Sequence, residues 1–155
     1  MEKYELPPYY FELYKLAVEM ADRISARRAA GNAFFITVQG ALASLLGFVI
    51  KTLGTPSSKQ NMGIIFFCII GLVLSYTWAV LIKSYRDLNG AKFSVILEME
   101  KKLPVAPFGD EWKYLKKDPI SKWRKRYAEL TSVEKYIPWT FAVVYLFVLV
   151  DTIVK

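Results

Sequence analysis

The chain has 155 residues, room for one domain or one small membrane bundle rather than two domains. Hydrophobic residues make up 54% and mean hydropathy is +0.26, which excludes a disordered chain. Histidine is absent and cysteine occurs once, which excludes an intrachain disulfide, a Cys/His zinc site and the Ser-His-Asp and Cys-His mechanisms. The net charge of +7 suits a nucleic acid or an anionic membrane surface, and only the position of the charges can choose between them.

Residues 9–31 read as a cytoplasmic amphipathic helix. Pro7 and Pro8 stop the pattern upstream, and Leu13, Leu16, Ala17, Met20 and Ile24 fall on one apolar stripe. Glu19 and Arg23 form an i,i+4 pair in the favourable order. Only Gly31 and Asn32 separate this helix from the next segment, so the two are expected to run almost without a break.

Residues 33–50 form an uncharged run of 18 residues and residues 62–82 one of 21. A helix rises about 1.5 Å per residue, so roughly 20 residues cross a hydrocarbon core of ~30 Å. Both runs read as transmembrane helices, joined by a short external loop at 51–61 that holds Gly54, Pro56, Ser57 and Ser58. Cys68 falls in mid-span and reads as a small packing residue.

Residues 83–137 form a cytoplasmic helical region. The second span is expected to continue to about residue 103, with Tyr85, Leu88, Val95, Ile96, Met99 and Leu103 at helical spacing, until Pro104 and Pro107 end it. An amphipathic stretch follows at 121–135. Residues 138–154 give the weakest of the three membrane signals, because Asp151 interrupts them. Pro138 suits a first helical turn, and Tyr136 and Trp139 suit an interfacial belt. A third span is expected here, with a helix lying partly in the interface as the alternative. The fold class that follows is an all-α integral membrane protein, a helical bundle in one membrane domain over 1–155.

The basic residues orient the chain. Residues 1–32 hold five Lys or Arg, the 51–61 loop two, and residues 83–137 thirteen. The positive-inside rule then puts the N-terminus and the 83–137 region in the cytoplasm. The expected home is a cytoplasmic or inner membrane, crossed more than once.

The first span carries a two-sided pattern. At 100° per residue, Ala33, Thr37, Gly40, Ser44 and Gly47 fall within about 40° of one line. Asn32, Gln39 and Ala43 lie beside them, while Phe34, Phe35, Val38, Leu42, Leu45 and Val49 make an opposite side expected to face lipid. Small residues let helices approach closely in a bilayer, and polar ones avoid lipid. Asn32, Thr37, Gln39, Gly40, Ser44 and Gly47 are therefore candidates for helix packing or for lining a pore, and both readings of Gln39 stand at this point. Three helices cannot enclose an aqueous path alone, so a pore requires several copies.

Lys122, Arg124, Lys125 and Arg126 cluster around Trp123 shortly before the third segment. Phospholipid headgroups are the simpler partner for them, and nucleic acid is not expected. No phosphate loop and no EF-hand spacing occurs, and the carboxylates at Glu98, Glu100, Asp110, Glu111 and Asp118 read as surface charge. No cofactor and no catalytic activity are expected.

Several stretches together carry a resemblance. They are residues 16–28 (LAVEMADRISARR), 84–89 (SYRDLN), Lys92-Phe93, 98–104 (EMEKKLP), Glu111-Trp112-Lys113, 127–131 (YAELT), Val133-Glu134 and Pro138. This pattern resembles the RipA-type family of small bacterial membrane proteins. That family is described as octameric and is similar to the pore-forming membrane accessory of RNA-targeting type VI CRISPR systems. More loosely, the layout is similar to the SLATT effectors of bacterial conflict systems. The resemblance implies a homo-octamer that permeabilises or depolarises the inner membrane in defence or stress. The CRISPR relative is associated with an Arg…His motif, and this chain has no His, so no RNase activity carries over. The alternative is a non-conducting scaffold whose cytoplasmic helices recruit a partner protein.

Overall fold

The computed structural model describes residues 7–53, 58–117 and 134–154. Among the described residues every regular element is an α-helix. Helix α1 runs Tyr10–Leu53, α2 Ser58–Glu100, α3 Pro107–Lys117 and α4 Ile137–Val154. Helices α1, α2 and α4 are each long and apolar enough to cross a membrane. The expected all-α membrane architecture is the one observed.

The local reasons are plain. Gly31 and Asn32 do not interrupt α1, which continues unbroken for 44 residues, about twice what one bilayer crossing needs. Helix α2 stops at Glu100, and Leu103 N–H bonds the Glu100 carbonyl at 2.9 Å just before Pro104. The sequence reading missed α3. Its signals are Pro107 at the first position, where the missing N–H costs nothing, and Asp110 in the first turn. The basic cluster Lys122, Arg124, Lys125 and Arg126 and most of the 121–135 stretch lie outside the described residues.

Contacts divide the chain into two units, Met1–Arg27 with Tyr85–Glu129, and Arg28–Ser84 with Leu130–Lys155. In the first unit Tyr14, Ala21 and Ile96 are buried, with Ala17, Val18, Phe93, Met99, Leu103 and Phe108 packed around them. Of the apolar stripe, Ile24 is buried while Leu13, Leu16 and Met20 stay exposed. The buried arc is centred instead on Tyr14, Ala17 and Ala21, because the small alanines admit α2 closely.

The second unit has two apolar clusters. One joins Leu46, Ile64, Cys68 and Tyr145. The other joins Phe35, Trp78 and Ile82, with Phe35 stacked on Trp78 at 5.7 Å between ring centroids. Phe141 of α4 packs against both. The outer surface of this unit is rich in large apolar residues, including Phe34, Phe48, Phe66, Val73, Val143 and Phe147. So much exposed apolar surface suits a lipid solvent and would be a liability in water.

The faces of α1 differ from the expected two sides. Phe35 and Leu46 are buried, and Val38, Leu42 and Val49 are half-buried, so much of the large side turns to the protein core. Phe34, Leu45 and Phe48 remain outside as a narrower lipid-suited arc. The physical reason is that aromatic stacking and close packing with α2 and α4 recruit bulky side chains, which fill space that small residues would leave empty.

Candidate functional site

The polar centre of the second unit is Gln39. Its side chain is fully buried, and its Nε2 donates to Ser75 Oγ at 2.7 Å and to the Gly71 carbonyl at 3.3 Å. Tyr145 Oη donates toward Gln39 Oε1 at 3.0 Å, with the Gln39 backbone carbonyl at 3.2 Å. Side chains from α1, α2 and α4, with the Gly71 carbonyl of α2, thus meet in a closed polar knot. Every side-chain polar atom of Gln39 has a partner, which is what an amide in an apolar medium requires. Gly71 makes the approach of Tyr145 possible, since its missing Cβ leaves the space the ring occupies.

Two further contacts tie this unit together. Trp78 Nε1 donates to Asn32 Oδ1 at 2.9 Å. Arg28 donates through both Nε and Nη2 to Glu134 Oε2, and their side chains are only 13% and 15% exposed. An ion pair so shielded is costly to break from one side alone.

The remaining candidates of the first span face away from the core. Thr37, Ser44 and Gly47 are exposed and Gly40 is half-buried. Nothing lies within 4 Å of a Cβ built on Gly40 or Gly47, so no other described helix closes on those two positions. Thr37 Oγ1 donates to the Ala33 carbonyl at 2.9 Å, which satisfies the hydroxyl within its own helix. The structure therefore separates Asn32 and Gln39, which are bonded inside the protomer, from Thr37, Gly40, Ser44 and Gly47, which form an open small face.

In the first unit Glu100, read from the sequence as surface charge, is instead buried and fully engaged. It is 2% exposed, and its carboxylate accepts from Tyr14 Oη, Phe108 N and Gly109 N, each at 2.9 Å. The last residue of α2 thereby caps the first turn of α3, where the free N–H groups and the helix dipole favour an anion. Burial, and then the hydrogen bond and charge of Glu100, push the Tyr14 phenol up to about 12. The available signal was the Glu100 to Pro107 spacing, which reads as a helix end followed by a helix start but names no contact.

Neither the curated proteins nor the solved structures include a match to this chain. One protein family does match, that of the octameric membrane proteins, over residues 11–154. The match takes in all three membrane-long helices, Glu100 and the Gln39 knot, and on it the chain belongs to the octameric membrane protein family (8xMP).

Proposed function

We propose that this chain assembles into a homo-octameric, non-enzymatic channel of a bacterial inner membrane. Its N-terminus lies in the cytoplasm, and opening permeabilises or depolarises the membrane during defence or stress. One observation carries the reading: the open face of Thr37, Gly40, Ser44 and Gly47 on a membrane-long helix, which the other described residues leave uncovered. Eight copies of a small, weakly polar face around one axis suit the wall of a narrow aqueous path. Gln39 is not part of that wall, because its amide is consumed inside the protomer.

The test is flux. Purified octamer in liposomes passes ions or a small dye, and replacing Gly40 or Ser44 with a bulky apolar residue reduces the flux. Vesicles that stay sealed under every applied voltage and lipid composition sink the reading. The competing reading is a scaffold that recruits a cytoplasmic protein, and the 75% exposure of Tyr114 on α3 favours it. A scaffold of this kind keeps its cellular effect when flux is abolished by Gly40→Leu and loses it with Tyr114→Ala.

A further inference from the structure

Within the first unit, the described residues cover only part of the apolar arc of α1. Tyr14, Ala21 and Ile24 are buried. Leu13, Leu16 and Met20 are 46%, 49% and 43% exposed, and their three-four spacing makes a row along the uncovered edge of that arc.

Lipid tails do not cover this row. Glu12, Lys15, Glu19, Asp22, Arg23 and Arg27 lie along the same stretch, and that density of charge keeps it out of hydrocarbon. Lys15 pairs with Glu12 and Arg23 with Glu19, so the flanks of the row are solvated ion pairs of the kind that border a helix seam. The spacing itself is that of a knob row meeting another helix.

The family is octameric, so each copy must offer its neighbours some surface. We propose that the Leu13, Leu16 and Met20 row is a contact between subunits, covered in the octamer by a second copy of this chain. Covering an apolar row removes it from water, and in the octamer α1 meets α2 on one side of this arc and the neighbouring copy on the other. The assembly thus has a determinant outside the apolar spans, independent of whether the ring conducts.

The experiment uses the full chain in detergent, with particle mass as the readout. Leu16→Glu lowers the octamer fraction at least about tenfold at matched concentration while helical content is kept. An octamer of unchanged abundance overturns the proposal. A second measurement covers a variant that fails to fold. In a Cys68→Ala background, Leu16→Cys reacts with a maleimide about tenfold more slowly in the octamer than in dissociated chains, whereas Glu12→Cys reacts equally in both. Equal rates at position 16 overturn the proposal. So does protection that persists in dissociated chains, since the cover then comes from the same chain, residues 118–133 included. Mass and flux are separate readouts, so a sealed octamer that Leu16→Glu dissociates refutes the channel and leaves this interface standing.

Discussion

Gly71 of α2 lies directly beneath the ring of Tyr145 of α4, so close that a Cβ built at position 71 stands 2.6 Å from the ring carbons Cε2 and Cζ. That approach lets the Tyr145 hydroxyl reach Gln39, and it is how α4, the weakest membrane signal in the sequence, is held to α1 and α2. Gly71→Ala forces the ring or the helix to move and costs about 1–3 kcal/mol, the range for overpacking a filled core. Unfolding in a denaturing detergent reads the loss. Gly71→Ala in a Tyr145→Leu background costs measurably less, and equal costs in the two backgrounds refute the contact.

Gln39→Leu keeps the volume and removes the knot. Interhelical hydrogen bonds in membranes contribute about 0.6 kcal/mol each, with a ceiling near 1.7. The variant is therefore destabilised by roughly 1–3 kcal/mol, and on the channel reading proposed above its flux per octamer is unchanged. A changed conductance with unchanged stability places Gln39 on an aqueous path and contradicts the buried geometry.

Glu100→Gln retains the shape and discards the charge that caps α3. Hydrogen bonds to charged groups contribute about 1.5–3 kcal/mol. Hydrogen exchange at the Phe108 and Gly109 amides accelerates at least about tenfold in the variant, with little change in the amides of α4. Protection that stays as it was means that α3 docks without the carboxylate.

The phenol of Tyr14 makes the first unit sensitive to alkali. Its folded pKa is about 12 against an ordinary 10.0, so the folded chain keeps a proton that the unfolded chain has released. This contribution is intact below about pH 10 and is lost as pH rises from there through about 12. Stability followed across that window falls more steeply in the wild type than in Tyr14→Phe. Parallel curves reject the assignment.

Much of the architecture was legible because its signals are local. The uncharged runs at 33–50 and 62–82 state their own length, and the charges around them state where hydrocarbon ends. Helix α3 was not legible: 11 residues beginning at Pro107 look like the aftermath of a helix stop, and what anchors them is a carboxylate seven positions upstream. The stripe in residues 9–31 was incomplete for a related reason: it left out Tyr14 and Ala21, which the structure buries. Tyr14 reads as a polar-edged residue until its hydroxyl is seen to bond Glu100, 86 positions away.

The sequence by itself determined an all-helical membrane chain, with α1 and α2 of membrane length, and it singled out Gln39 as a polar residue that must find a partner or water. Only the tertiary structure decided which partner. It turned Phe35, Leu42 and Leu46 toward the core, closed Gln39 onto Ser75 and Tyr145, and left Thr37, Gly40, Ser44 and Gly47 open. The reason is that a helix apolar around most of its circumference carries no mark of which arc meets which neighbour. That choice rests on residues 36 and 106 positions further along the chain, brought near only when the helices assemble.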